Sequence, residues 1–241
     1  IAYGLCAAPA AAAARYVLGA EPELHARGLA LAVRTSWGEG VLESRLLGRF
    51  NAYNLLAALA VLLEKGVALD VALGALRHVE TVPGRMEAVQ LRDRQPLVAV
   101  DYAHTPEALG QALRALRAHC RGELTVVFGC GGDRDRGKRP LMAAAALEHA
   151  DRLIITDDNP RSEDPRAIVQ DILAGLPAGA RFTVEHDRAR AIALALAGAG
   201  PEDAVLVAGK GHEDYQIVGR ERRHFSDRRV VAACLEGGRQ A

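Results

Sequence analysis

From residue 85 onward, short apolar runs alternate with segments of helical periodicity, and this alternation constrains the fold most. The strand-like runs lie at residues 97–100, 124–128, 153–156, 182–185 and 204–208, and most of their residues are apolar. Apolar side chains at helical spacing lie in between, over residues 106–119, 140–149, 165–173 and 188–196. Such an alternation is typical of a parallel sheet covered by helices on both faces. The sequence therefore predicts an α/β fold.

The end of the chain departs from this alternation. Residues 216–218 and 222–225 flank Gly219 and predict a hairpin. A last helix is expected over residues 227–235.

The part before residue 85 has a different rhythm. Residues 29–34 and 41–47 resemble strands, whereas residues 51–63 and 70–78 have helical spacing. Gly66 is expected to end the first helix and Asp70 to cap the second. The break at Thr81-Val82-Pro83-Gly84 predicts a domain boundary.

Charge and composition exclude several classes of partner. The chain has 30 Lys and Arg against 30 Asp and Glu, so no net charge attracts nucleic acid or an anionic membrane. No apolar stretch is long and uncharged enough to span a membrane. Cys6, Cys120, Cys130 and Cys234 form no C-x-x-C pair, which predicts a reducing, cytoplasmic setting. The alanine-rich residues 7–14 lack the basic segment of a signal peptide.

Four of the predicted strands end in polar residues that a packed core does not need. These ends are Asp101 to His104, Gly129 to Arg139, Asp157 to Arg161 and Gly209 to Glu213. In open parallel sheets, ligands bind outside the carboxyl ends of the strands. One loop alone is compatible with an ordinary solvated surface, but four at one edge indicate a binding site.

Common nucleotide and metal motifs do not account for this edge. Gly137-Lys138 is followed by Arg139 rather than Ser or Thr, so it does not complete a phosphate-binding loop. His212-Glu213 would need a second histidine at position 216 to bind zinc in the manner of a metalloprotease, and that residue is Gln216. No metal site is therefore expected in this chain.

Several groups of residues resemble the ATP-dependent Mur ligases. The general family pattern is matched by Gly48 to Ala58, Pro83 to Glu87 and Asp101 to Pro106. Gly129 to Pro140, Asp157 to Glu163 and Gly209 to Gln216 resemble the branch of the family that adds the third residue of the peptidoglycan peptide stem. The resemblance extends over nearly the whole chain from Gly48.

This resemblance implies a domain order and a reaction. Residues 1–84 would be the end of a central α/β ATPase domain, and residues 85–241 a Rossmann-like domain with a mostly parallel sheet that binds the incoming amino acid. The implied enzyme uses ATP and Mg²⁺ to join meso-2,6-diaminopimelate to UDP-N-acetylmuramoyl-L-alanyl-D-glutamate through an acyl phosphate. The family's G-T-N-G-K-T loop and carbamylated lysine, which holds magnesium, would lie before Ile1. We therefore expect no ATP turnover by the chain alone.

The resemblance also assigns two groups of binding residues and no catalytic residue. The group for ATP comprises Asn54 at the adenine, Arg85 at the phosphates, Asp101 at the ribose hydroxyls, and Tyr102 and His104 beside the nucleotide. The group for diaminopimelate comprises Arg134, Asp158, Asn159, Pro160, Arg161, Gly209 and Glu213.

Arg161 is the residue on which the choice of substrate depends. An arginine can hold the distal carboxylate of diaminopimelate with two charge-assisted hydrogen bonds, and lysine has no such carboxylate. Family members that use lysine typically lack this arginine. Three alternatives stay open: a non-catalytic diaminopimelate-binding fragment, a lysine-adding relative, and a related ligase such as folylpolyglutamate synthetase. The oligomeric state is not indicated.

Overall fold

The computed structural model describes residues 1–5, 15–89 and 95–237. The chain divides into two compact units, Ile1–Thr81 and Val82–Ala241. The predictions for Cys6 and for residues 7–14 fall outside the described residues. Cys120, Cys130 and Cys234 are free thiols. Within the described ranges, no helix combines the length and the apolar character needed to cross a membrane.

The first unit is a five-stranded sheet covered by two helices. Its elements are β1 (Ala2–Leu5), β2 (Tyr16–Gly19), β3 (Glu23–His25), β4 (Gly28–Thr35), β5 (Gly38–Ser44), α1 (Arg49–Glu64) and α2 (Leu69–Leu76). The strand order is β1-β2-β4-β3, with β5 also paired to β4, and only β1 and β2 run parallel. Leu55, Leu56 and Leu59 of α1 pack into the core against residues of β4 and β5, as the helical spacing predicted.

The two helices of this unit differ in how well their ends were predicted. Gly66 ends α1 as expected, with φ of 84° and its N–H donating to Leu63 O at 3.0 Å. The prediction that Asp70 caps α2 was wrong, because the helix already begins at Leu69 and has no side-chain cap. Asp70 instead lies in the first turn, where its charge still interacts favourably with the helix dipole.

The described residues of the second unit form a six-stranded sheet, five helices and a separate hairpin. Its elements are β6 (Glu87–Ala88), β7 (Leu97–Asp101), α3 (Pro106–Arg117), β8 (Leu124–Phe128), α4 (Lys138–His149), β9 (Arg152–Ile155), α5 (Pro165–Leu173), β10 (Phe182–Val184), α6 (Arg188–Ala197), β11 (Ala204–Ala208), β12 (Tyr215–Val218), β13 (Glu221–His224) and α7 (Asp227–Gly237). The strand order is β10-β9-β8-β11-β7-β6, and only the short β6 is antiparallel to its neighbour. The predicted α/β fold with a mostly parallel sheet and a terminal hairpin is confirmed.

Apart from Asp101 and Thr125, the central strands β7, β8 and β11 are apolar because helices cover both faces of the sheet. Every residue of β7, β8 and β11 is buried. Val98, Val127 and Val205 form one core with residues of α6 and α7. Successive residues of a strand point to opposite faces, so the alternate residues meet the layer in which α3, α4 and α5 pack side by side.

Capping residues keep the polar loops short. Thr105 Oγ1 accepts from the N–H of Ala108 at 3.3 Å and starts α3 directly after the loop that follows β7. Asp164 caps α5 as predicted, accepting from the N–H of Arg166 at 3.0 Å with Pro165 at the first turn. These helix starts fix the ends of two loops at the predicted binding edge.

Candidate functional site

The loops that follow β7, β8, β9 and β11 meet at the carboxyl edge of the sheet in the second unit. Because β11 lies between β7 and β8, and β9 lies beside β8, these loops are neighbours. The N–H of Gly209 donates to Asp101 O at 3.0 Å, and the N–H of Gly132 donates to Asn159 O at 2.9 Å. The sheet therefore brings together the residues predicted to share this edge.

Two glycines allow the loops after β8 and β9 to touch. A Cβ atom on Gly129 would lie 2.1 Å from Thr156 O, and one on Gly132 would lie 1.9 Å from Pro160 O. Real Cβ atoms do not come this close to an oxygen. A side chain at either position would therefore push the β9 loop, and with it the buried Asn159, out of place.

A buried arginine, which the sequence did not single out, ties these loops to α5. The Arg139 guanidinium is fully buried and donates to Glu163 and Asp171 at 2.8 Å each. It also donates to Gly131 O at 3.3 Å. Arg139, together with the N–H of Asp133, lowers the pKa of Glu163 to about 2. The ion pairs hold the base of the glycine-rich loop in place.

The loops after β9 and β11 enclose a compact set of charged and polar groups. Asp158 and Asn159 are buried, and the Asn159 side-chain N–H donates to Glu213 Oε2 at 3.0 Å. Gly209 has φ of 115°, and a Cβ atom there would lie 2.6 Å from Asp158 Oδ2. Glycine is therefore required at position 209 both for its backbone conformation and for the closeness of Asp158.

Lys210 lies at the centre of this set and was missed by the sequence reasoning. Its Nζ donates to Asn159 Oδ1 at 2.9 Å and lies 3.7 Å from Asp158 Oδ1 and 3.6 Å from Glu213 Oε2. Burial lowers the pKa of Lys210, and the charge of Asp158 acts in the opposite direction. The signal in the sequence was a lysine between two glycines, Gly209 and Gly211, just after the apolar strand β11.

Arg161 stands beside this cluster in an unusual backbone conformation. Its φ is 51°, its N–H donates to Ile217 O at 3.0 Å, and its carbonyl accepts from the N–H of Gly219 at 2.7 Å. These bonds join the loop after β9 to the terminal hairpin. Its Nη1 donates to Gly132 O at 2.8 Å, and none of the described carboxylates forms an ion pair with it. The guanidinium is thus positioned by carbonyl groups and keeps its charge available.

Arg134 and Pro160 have less direct relations to the cluster. Arg134 is exposed in the loop after β8, where its Nη1 donates to the neighbouring carbonyl of Asp133 at 2.9 Å. Pro160 is buried between Asn159 and Arg161, and its carbonyl is the atom that Gly132 approaches. A role for Arg134 at a ligand stays a prediction.

The residues predicted to bind ATP in the second unit form a group after β7. Asp101 Oδ2 accepts from the N–H of Met86 at 2.7 Å, and burial raises the pKa of Asp101 while this hydrogen bond lowers it. The Tyr102 ring lies 5.0 Å from the Arg85 guanidinium and 4.6 Å from the His104 ring. A carboxylate, a cation and two aromatic rings therefore lie close together here, and their contact with ATP stays a prediction.

Asn54 belongs to the first unit, where it lies in α1. Its side chain is exposed, and its Nδ2 donates to Asn51 Oδ1 at 3.0 Å. Its predicted contact with adenine stays a prediction. As for magnesium, no group of three or more His, Cys, Asp or Glu side chains in the described part of the chain is arranged to hold a metal ion.

Comparisons with known proteins agree on one family. The model of the family "Mur ligase, glutamate ligase domain" matches residues 84–211. A UDP-N-acetylmuramoyl-L-alanyl-D-glutamate--2,6-diaminopimelate ligase from Vibrio cholerae serotype O1 is 54% identical over 209 residues, which are 87% of this chain and 42% of that protein. The ligase of the same name from Synechococcus sp. (strain WH7803) is 53% identical over 220 residues, 90% of this chain and 44% of that protein.

A solved structure of a ligase with this name superposes with a TM-score of 0.81 at 40% identity. The match covers 99% of this chain and 48% of the other. The chain therefore spans less than half the length of each of these three relatives.

Proposed function

This chain belongs to the Mur ligase family, and on that premise we propose that it is the amino-acid-binding part of a ligase that joins meso-2,6-diaminopimelate to UDP-N-acetylmuramoyl-L-alanyl-D-glutamate. Both curated relatives carry the name of a diaminopimelate-adding ligase. One geometric observation carries the proposal: a partly buried arginine, with which none of the described carboxylates forms an ion pair, stands beside a largely buried cluster of acceptors for an ammonium group.

The cluster and the arginine match the ammonium group and the carboxylate that diaminopimelate carries together at its distal end. Asp158 and Glu213 can accept hydrogen bonds from an ammonium group, and Asn159 has one further N–H to offer a carboxylate. Arg161 donates to a carbonyl only through Nη1, so Nη2 and Nε can hold the distal carboxylate with two parallel hydrogen bonds. Lysine would leave this guanidinium without its partner.

The reaction we propose forms an amide at the expense of ATP. The glutamate carboxylate of the UDP-linked dipeptide takes the γ-phosphoryl group and becomes an acyl phosphate. The amine of diaminopimelate attacks the acyl carbon, loses a proton, and expels phosphate. The second unit contributes by holding this amine in place, because fixed geometry can contribute several orders of magnitude to the rate.

For the nucleotide, we propose that Asp101 accepts from the ribose hydroxyls and that Arg85 meets the phosphates, with Tyr102 and His104 beside them and Asn54 at the adenine. Mg²⁺ would neutralise charge on the phosphates. On the family resemblance, we assign its binding mainly to a part of the enzyme before Ile1.

The proposal is tested by calorimetry on the chain with meso-diaminopimelate and L-lysine. Arg161→Ala removes the two hydrogen bonds to the distal carboxylate, so the affinity for diaminopimelate falls about 10- to 100-fold while the affinity for lysine changes little. Arg166→Ala is the matched control, because this arginine is exposed in α5 and belongs to neither predicted binding group. Unchanged discrimination in Arg161→Ala would contradict the assignment, and tighter binding of lysine by the unmodified chain would favour a lysine-adding relative.

The second candidate is a diaminopimelate-binding chain without catalysis, which would use the same acceptor cluster and Arg161. A phosphate-binding loop encoded directly before Ile1 would favour the complete ligase. A coding sequence without one would favour the non-catalytic chain.

A further inference from the structure

Lys210 is the cation at the centre of the acceptor cluster, and none of the motifs assigned it a role. Its side chain is completely buried at the end of β11. Nζ donates to Asn159 Oδ1 at 2.9 Å and to the carbonyl of Tyr215 at 2.8 Å. Both partners are acceptors, so the geometry requires Nζ to donate. A lysine is almost never fully buried unless it is paired, so its position here calls for an explanation.

The first consequence of this position is the orientation of the Asn159 amide. Its Oδ1 accepts from Lys210 Nζ and also from the N–H of Ile217, both at 2.9 Å. Because two donors converge on one atom, that atom must be the amide oxygen. The nitrogen then faces the other way and donates to Glu213 Oε2 at 3.0 Å. Lys210 therefore helps decide which end of the amide faces Glu213.

The second consequence is electrostatic. Nζ lies 3.7 Å from Asp158 Oδ1 and 3.6 Å from Glu213 Oε2, so the ammonium moderates the repulsion between the two carboxylates. Arg188 and Asp227 form a separate, completely buried pair at 2.7 Å, which is neutral as a whole. Lys210 thus offsets the charge of one of the two carboxylates, Asp158 and Glu213, and leaves one negative charge in the acceptor cluster. A single desolvated negative charge is the complement of one ligand ammonium.

We propose that Lys210 is a positioning residue that fixes the ammonium-binding groups of the acceptor cluster, which are Asp158, Asn159 and Glu213, before a ligand arrives. It acts through Asn159, which it orients, and on Asp158 and Glu213, whose mutual repulsion its ammonium group reduces. A site that is already ordered loses less entropy when it binds. The inference rests on the proposed function, because the ligand ammonium is that of diaminopimelate.

The first test needs no ligand. Lys210→Met keeps the length of the side chain but removes its charge and donors. In the unmodified chain, the Asn159 side-chain amide gives one NMR signal pair, assigned with Asn159→Ala. In Lys210→Met this pair shifts and exchanges with water at least about tenfold faster, because the oxygen has lost a buried charged donor. The control Leu113→Ala, a core substitution in α3, lowers the melting temperature and leaves the signal in place. An unchanged signal in Lys210→Met would overturn the proposal.

The second test measures meso-diaminopimelate binding by calorimetry for Lys210→Met, Asn159→Ala and the double variant. Lys210→Met weakens binding about 10- to 100-fold, and Lys210→Arg, which keeps charge and donors, retains more of the affinity. The affinity of the double variant falls by less than the product of the fold-losses in the two single variants, because both changes disable the same groups. Losses that multiply, or full affinity in Lys210→Met, would refute a positioning role.

The two tests separate the inference from its premise. If the unmodified chain does not bind diaminopimelate, the proposed function fails. The NMR comparison then still decides whether Lys210 orients Asn159. If the unmodified chain binds and Lys210→Met binds equally well, only the role of Lys210 is refuted.

Discussion

Gly132→Ala tests how closely the loops after β8 and β9 must approach for the site to form. A Cβ atom at this position would lie 1.9 Å from Pro160 O, whereas real Cβ atoms stay at least about 3.0 Å away, so the two loops must separate by roughly 1 Å. Two hydrogen bonds span the same gap: Gly132 N–H to Asn159 O at 2.9 Å, and Arg161 Nη1 to Gly132 O at 2.8 Å.

The magnitude follows from these two bonds. A neutral backbone hydrogen bond contributes about 1 kcal/mol and one from a charged donor about 1.5–3 kcal/mol, so Gly132→Ala should destabilise the second unit by about 2.5–4 kcal/mol. Gly137→Ala is the matched control in the same loop. Gly137 has helical φ of −63° and ψ of −26°, and an added Cβ would meet only the end of the Asp135 side chain at 3.2 Å. Gly137 is the N-cap of α4, where alanine is less favourable than glycine, so this substitution should change the stability by no more than about 1 kcal/mol.

The assay must read the second unit directly. Trp37, the only tryptophan, lies in the first unit, so its fluorescence does not report on these loops. Hydrogen exchange of peptides covering β8, β9 and their loops, measured across a urea series, gives the local free energy of opening. If Gly132→Ala opens within about 0.5 kcal/mol of the unmodified chain, the loops do not depend on this contact and the reasoning is refuted.

Two further predictions concern carboxylates whose pKa values the fold shifts. Burial raises the pKa of Asp101, so folding stability should fall as pH rises above 3.8 and through the folded pKa. Asp101→Asn keeps an acceptor for the Met86 N–H and should remove this decline, so the melting temperature at pH 7 rises while ATP binding weakens. A lower melting temperature would contradict the idea that burying the ionised Asp101 carboxylate costs stability. The pKa of Glu163 is lowered from 4.5 to about 2, chiefly by Arg139, so its contribution is present above pH 4.5 and lost as pH falls towards 2. Glu163→Gln should reduce the slope of the free energy of unfolding against pH in that window. Glu202→Gln, in an exposed loop, should leave this slope as it is. An unchanged slope in Glu163→Gln would show that the ion pair does not contribute.

The sequence alone determined the layered fold of the second unit. Apolar runs such as residues 97–100 and 204–208 have no polar face, so they could only be strands covered on both sides. Local chemistry also predicted the start of α5, because Asp164 and Pro165 act within one turn. The same local reasoning failed at Asp70, because several nearby residues could begin that helix and the sequence does not decide among them.

The tertiary structure decided which polar side chains of the binding edge belong together. Side chains that are far apart in sequence were expected at one edge, but their distances and partners depend on strand order and loop conformation. Arg134 and Arg161 both matched the family pattern, yet Arg134 is exposed and Arg161 is fixed by the hairpin. Lys210 shows the same limit, because the sequence did not indicate that it belongs to the site. A lysine is ordinarily at the surface, and only the packing of three chain segments around Nζ reveals that this one lies buried among the carboxylates of the pocket.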